Sequence, residues 1–175
     1  VPIWKKEHYT DGDSGWVNCE RCAAAVHEHE HGHGHGHGHA TAVRHDYSRQ
    51  IALPEVGSAG QAKLAAASVL VVGAGGLGVP VLQYLAAAGI GRLGIVDGDS
   101  IEASNLHRQP LYGITDVGRP KAEVAADRLH ALNRDVRIET YATRATAENI
   151  DGLVKSFDLV VECTDNFRAK FLVSD

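Results

Sequence analysis

From Tyr47 onward the chain alternates apolar and polar positions with a clear rhythm, which residues 1–40 lack. Ser68-Val69-Leu70-Val71-Val72 is a β-branched run ending at glycine, and an unbroken apolar run of this length predicts a strand buried within a parallel sheet. Over 76–88, Leu77, Val81, Leu85 and Ala88 recur at helical spacing. Pro80 falls in the first turn of that helix, where its missing N–H does little harm, and Gly89 marks the stop. Leu93 to Asp97 predicts a second strand, Lys121 to Leu132 a helix turning Val124, Ala125, Leu129 and Leu132 inward, Val136 to Tyr141 a third strand, and Phe157 to Glu162 a fourth. Gly57 and Gly60 mark a polar turn region, and Asn166 to Asp175 reads as a helix beginning to run. Strands alternating with helices predict an α/β fold: a Rossmann-like, doubly wound, mostly parallel sheet with helices on both faces. An irregular Cys/His-rich segment, residues 1–40, precedes the folded domain, residues 41–175.

Composition narrows the class. A chain of 175 residues, 44% hydrophobic and 22% charged, suits a single core. A net charge of -5 supplies no chain-wide basic field, so nucleic acid and anionic lipid are not expected partners. The longest strongly apolar run, Leu64 to Val72, is too short to span a bilayer, and Lys5, Lys6 and Glu7 leave no room for an apolar signal region. The expected location is the cytoplasm. Three cysteines without a secretion signal argue against a disulfide framework, and Cys163, inside an apolar strand, reads as a small packed hydrophobe. The chain has no Met, even at position 1, and no strand follows its last helix, so it reads as a piece of a longer protein.

Residues 1–40 carry their own chemistry. Cys19 and Cys22 form one CxxC, half of a tetrahedral zinc site, which His27 and His29 would complete; the alternative is an unliganded pair. The alternating His27 to His39 run would bind Zn²⁺, Ni²⁺ or Cu²⁺ through neutral imidazoles, or serve as a solvated linker.

Gly73-Ala74-Gly75-Gly76-Leu77-Gly78 satisfies G-x-G-x-x-G directly between a strand and a helix, where small residues let backbone N–H groups approach phosphates. Asp97 ends the next strand, where a carboxylate can accept ribose hydroxyls. These features indicate a nucleotide and, alone, lean toward NAD. The stretch from Gly98 to Gln109 closes with Arg108, and Gly118-Arg119-Pro120-Lys121 puts a lysine at a helix N-terminus, an arrangement that suits a triphosphate better than hydride transfer. Thr164-Asp165-Asn166 follows the last strand at the ligand-binding edge, and Asp165 could hold Mg²⁺. The bland readings are a solvated Arg108, a Lys121 paired with Asp116 or Glu123 on an exposed face, and an Asp165 that caps a helix.

Six blocks taken in order, Tyr47-Ser48-Arg49-Gln50, Gly73 to Gly78, Asp97-Gly98-Asp99, Ser104 to Gln109, Gly118 to Lys121 and Cys163 to Asn166, resemble the signature of the ThiF/MoeB/HesA adenylyltransferases, relatives of ubiquitin-activating enzymes. The resemblance covers residues 45–175. It implies that Gly75 and Gly76 lie against ATP, that Asp97 binds ribose, and that Asn105, Arg108 and Lys121 meet phosphates, with Asp99, Gln109 and Asn166 in the same nucleotide-binding set. Asp165 would be the magnesium and catalytic carboxylate. Arg49 matches a position that reaches into a partner subunit's ATP site, implying a homodimer whose catalytic set is Arg49, Arg108, Lys121 and Asp165. The implied reaction is adenylation of the C-terminal carboxylate of a ubiquitin-like sulfur-carrier protein, of the ThiS/MoaD type with a Gly tail, giving acyl-adenylate and pyrophosphate. The competing readings are an NAD-dependent dehydrogenase and a metal-buffering protein whose Rossmann half binds a nucleotide.

Overall fold

The computed structural model of the chain describes residues 3–5, 45–166, 170–171 and 173. The Cys19, Cys22, His27 and His29 set and the rest of the histidine tract lie outside the described residues.

Five strands form one sheet: β1 (Ile3–Lys5), β2 (Ser68–Val72), β3 (Arg92–Val96), β4 (Arg137–Tyr141) and β5 (Leu159–Glu162), in the order β1-β5-β2-β3-β4. The β5, β2, β3 and β4 strands run parallel, and β1 adds antiparallel to β5 at the edge. The sheet is the doubly wound, mostly parallel one expected, with strand ends displaced by one or two residues. The edge strand is a difference, because the sequence reading places the start of the folded domain near residue 41. A three-residue stretch carries too little periodicity to be read as a strand.

Helices α1 (Ser48–Ile51), α2 (Gly57–Ala66), α3 (Gly78–Ala88), α4 (Lys121–Leu132) and α5 (Ala147–Lys155) connect the strands. Alternate strand residues feed two cores. Val69, Val71, Leu93 and Ile95 meet Leu82, Ala86 and Leu129 of α3 and α4 on one face, while Leu70, Val72, Val96 and Val160 meet Ile150, Phe157 and Val173 on the other.

The α4 bounds match the expected 121–132, with Val124, Ala125 and Leu129 buried, but Leu132, at the end of the helix, is 44% exposed. In α3 the inward face is shifted: Gly78, Val79, Leu82 and Ala86 are buried, Val81 and Leu85 only partly so, and Leu77 is 53% exposed ahead of the first turn. This helix is apolar nearly all round, so periodicity cannot select its face. Backbone geometry selects it instead, because a Cβ on Gly78 would lie 1.8 Å from the Gly73 carbonyl oxygen. The predicted turn region at Gly57 and Gly60 is the start of α2; its mix of Ala, Gly, Gln and Lys is helix-compatible but has no polar and apolar sides. The α5 helix has no counterpart in the sequence reading, although Thr146 and Asn149 form a capping box and Ile150, Leu153 and Val154 lie on one side.

Among the described residues no helix is long and apolar enough to cross a membrane.

Candidate functional site

After β2 the chain winds outward through β3 and β4, then returns to place β5 on the other side of β2. In open α/β sheets such a reversal opens a crevice at the carboxyl ends of the strands. Here a cleft of about 1190 Å³ occupies that place, lined by the ends of β2, β3 and β5 and the loops that follow them. It brings together Gly75, Gly76, Asp97, Asp99, Asn105, Arg108, Gln109, Lys121, Asp165 and Asn166. These residues span just over half of the chain, and the winding of the sheet collects them.

The glycine loop is braced from both sides. Gly73 has φ +98°, a conformation L side chains rarely adopt, and a Cβ there would also lie 3.0 Å from the Cys163 carbonyl. Ala74 donates its N–H to Asp97 Oδ2 at 2.7 Å and accepts the Tyr112 hydroxyl at 2.8 Å. Burial, and after it the Asp97 charge, pushes the Tyr112 hydroxyl well above the ordinary phenol range, so it stays a donor at any physiological pH. Asp97 Oδ1 also accepts the Asp99 N–H at 2.8 Å, and Asp97 is only 9% exposed. Each oxygen keeps capacity for a further donor.

Cations flank the loop. Arg108 lies in a 3-10 turn over Ala103–Arg108, where Nη2 donates to Asn105 Oδ1 at 2.9 Å and Nη1 to the Ser104 carbonyl at 3.3 Å. Its side chain runs beside Gly76, and the Gln109 amide beside Gly75, each 3.6 to 3.7 Å from where a Cβ would stand. Lys121 is 7% exposed, which excludes the exposed-face reading. Its Nζ faces Asp99 Oδ2 at 3.5 Å, and its N–H donates to the Asp99 carbonyl at 3.0 Å. Asp116 instead accepts Arg128 at 2.9 Å and Arg119 at 3.4 Å; the Arg128 bond first of all holds its carboxyl below the usual carboxylate range. Asp165 and Asn166 stand at the open rim, exposed.

Arg49 lies elsewhere. Its short helix is held by Gln50, whose Nε2 donates to Gln61 Oε1 at 2.6 Å and to the Ala88 carbonyl at 3.1 Å, at the end of α3 remote from the phosphate loop. Tyr47 secures the same corner, accepting Asn133 Nδ2 at 2.7 Å and covering Gly89, where a Cβ would strike its ring at 2.6 Å.

Sequence reasoning missed one wall of the cleft, Thr143 to Glu148. Arg144 on that wall bonds Asp99 Oδ1 at 3.2 Å, so Asp99 is shared between Lys121 and Arg144. A Cβ on Gly98 would meet the Arg144 backbone N at 2.7 Å, which explains the glycine between the two aspartates. The available signal was topological: this segment leaves the carboxyl end of β4. Cys163 behaves as expected, buried, with burial first and then Glu162 pushing its thiol up to about 11.

Among the described residues no group of three or more His, Cys, Asp and Glu could hold a metal ion. A cation in the cleft would meet the Asp165 carboxylate at the rim, with further ligands coming from phosphate and water, a donor set that suits Mg²⁺.

The chain is similar to known proteins in sequence and in fold. Over 129 residues the chain is 59% identical to a sulfur carrier protein adenylyltransferase of Thermus thermophilus, a match covering 74% of this chain and 48% of that one. It is 48% identical to a probable adenylyltransferase/sulfurtransferase, MoeZ, of Mycobacterium tuberculosis, over 74% of this chain and 33% of that one. The chain thus spans about half of the first of these relatives and a third of the second. Among solved structures, the E. coli tRNA N6-threonylcarbamoyladenosine dehydratase TcdA in complex with ATP superposes with a TM-score of 0.62 at 30% identity, covering 65% of this chain and 47% of that one. The ThiF family profile matches residues 47–175, the stretch that holds the four parallel strands and the cleft, and the chain belongs to the ThiF family.

Proposed function

We propose that the cleft binds Mg²⁺-ATP and that the chain is the nucleotide-binding part of an enzyme that adenylates the C-terminal carboxylate of a ubiquitin-like sulfur-carrier protein in the cytoplasm. The observation that carries this reading is the convergence of Arg108, Lys121 and Asp165 around the Gly75-Gly76 backbone at the switch point of the sheet. In the reaction a carboxylate oxygen of the carrier's terminal glycine attacks the α-phosphorus of ATP, the bond to the bridging oxygen breaks, and pyrophosphate leaves with its electron pair. No side-chain nucleophile is required. The glycine-loop amides cradle the phosphates, Arg108 and Lys121 offset the charge that collects on the leaving oxygens, and Asp97 accepts a ribose hydroxyl while bracing the loop. Bound Mg²⁺, held by Asp165, would neutralise phosphate charge. Asn105 aims Arg108, and Gln109 and Asn166 border the bound phosphates.

Arg49 completes the reading only in a homodimer. Its anchor at Ala88 sits at the far end of an 11-residue helix, ~16 Å from the phosphate loop at 1.5 Å per residue. The guanidinium therefore serves the cleft of a second copy. Tyr84 on α3, Leu77 just ahead of it, and Ile51 and Leu53 at the Arg49 corner are exposed apolar residues that such a copy would cover.

The dehydrogenase alternative rests only on the glycine fingerprint and Asp97, and the metal-buffering one only on residues outside the described part. The test is carrier-dependent exchange of labelled pyrophosphate into ATP. Exchange with a carrier ending in its glycine tail supports the reading. Failure with an intact carrier, under conditions where ATP binds, overturns the adenylation step.

A further inference from the structure

Glu162 ends β5, and burial there calls for an apolar residue; its neighbours along the strand, Val160 and Val161, both lie in the cores. Glu162 is nonetheless 2% exposed and carries a carboxylate. Oε1 accepts both the Thr164 N–H, at 2.7 Å, and the Thr164 hydroxyl. Oε2 has no hydrogen-bond partner among the described residues. Burying a carboxylate with one oxygen unpartnered is costly, and an apolar side chain would fill the place at less cost. A fold that keeps the carboxylate uses it to fix something that Val or Leu could not.

What it fixes is visible in the turn that follows. Glu162 pairs across the sheet with Val72, the residue before Gly73, and the Cys163 N–H donates to the Val72 carbonyl at 2.8 Å. The Thr164 N lies 3.2 Å from where a Gly73 Cβ would stand. Thr164 is thus wedged between Glu162 and the phosphate loop, and the next residue is Asp165 at the rim of the cleft. A charge-assisted double bond to Thr164 sets the direction in which the chain leaves β5, and so the distance from the Asp165 carboxylate to the Gly75-Gly76 backbone.

We propose that Glu162 is a positioning residue for Asp165: by clamping Thr164 through its backbone and hydroxyl, it holds the carboxylate where a phosphate-bound cation meets it. This rests on the reading of the cleft as a Mg²⁺-ATP site. Glu162 touches neither nucleotide nor metal and acts only through the turn.

The test measures ATP affinity of the full chain by calorimetry with and without Mg²⁺, together with amide hydrogen exchange at Thr164, in the parent and in E162L, E162Q and T164V. The expected result for E162L is a loss of the Mg²⁺-dependent gain in ATP affinity by roughly tenfold, the scale of one or two charge-assisted hydrogen bonds, with metal-free ATP affinity unchanged and Thr164 exchange accelerated. E162Q keeps an acceptor for Thr164 and retains most of the gain, whereas T164V, which loses only the hydroxyl bond, falls between. A folded E162L that keeps both the full gain and slow Thr164 exchange overturns the proposal. If E162L does not fold, T164V decides, and a gain equal to the parent's overturns it. A parent chain that binds no ATP contradicts the reading of the cleft itself; the Thr164 exchange rates in E162L then decide the clamp separately.

Discussion

Asp97 and Ala74 stand 23 residues apart in sequence and meet through a 2.7 Å hydrogen bond from the Ala74 N–H to Asp97 Oδ2. The carboxylate implied by family resemblance to bind ribose is therefore also a structural brace for the phosphate loop. Asp97→Ala strips acceptors from two backbone N–H groups, those of Ala74 and Asp99, at a cost of about 1–3 kcal/mol for each one left buried and unpaired. The variant should lose thermal stability as well as ATP affinity, and Asp97→Asn should show smaller losses of both. Thermal melting with and without ATP checks this, and a stability-neutral Asp97→Ala would contradict it.

Arg49 and Lys121 should behave as residues of different clefts. Arg49→Ala should leave ATP affinity within about twofold and depress adenylation roughly 100-fold, the scale for removing one preorganised transition-state donor. Lys121→Ala should weaken both. Mixing the two inactive variants should restore part of the activity, because a mixed dimer contains one cleft with both cations intact. Absence of recovery, in a mixture shown to exchange subunits, would remove Arg49 from its role.

Stability should fall in acid through Glu139. The Arg92 hydrogen bonds, at 2.8 and 3.0 Å, hold the Glu139 carboxyl down at about 2, against an ordinary value of 4.5. A carboxylate whose folded value is depressed contributes stability above its unfolded value and loses it as pH falls toward the folded one. Melting temperature should thus drop from near pH 4.5 toward pH 2, and E139Q should be less stable at pH 7 with a flatter profile across that window. Thermal melts at stepped pH measure both.

The Cys163 thiol, pushed up to about 11 by burial, should resist alkylation in the folded chain at pH 8. Iodoacetamide followed by peptide mass spectrometry should label Cys163 only after denaturation. Rapid native labelling would show that the end of β5 opens readily.

How far the sequence could be read follows from the kind of signal each element carries. The β2 strand and α4 were plain because Val69 to Val72 is an unbroken apolar run and Val124, Ala125 and Leu129 keep one helical face. The α2 helix was hidden because a residue set such as Gly57 to Ala66 has helix propensity without sidedness, and propensity alone is a weak guide. The face of α3 was set by the Gly78 backbone passing under Gly73, a contact no periodicity records. In the cleft, the residues of short ordered motifs were legible, since Gly75, Gly76, Asp97, Arg108, Lys121 and Asp165 all line it. Arg144 and Glu162 were not, because their importance depends on what the sheet brings beside them: Asp99 in one case, Thr164 and Gly73 in the other.

The central claim is that the cleft is an ATP site, and calorimetric titration of the chain with Mg²⁺-ATP and, separately, with NAD tests it most directly, with Lys121→Ala as the control that distinguishes the cleft from binding along the histidine tract. The account predicts binding of Mg²⁺-ATP, none of NAD, and loss of the ATP signal in the control. Binding of NAD in place of ATP, or ATP binding indifferent to Lys121, would contradict it.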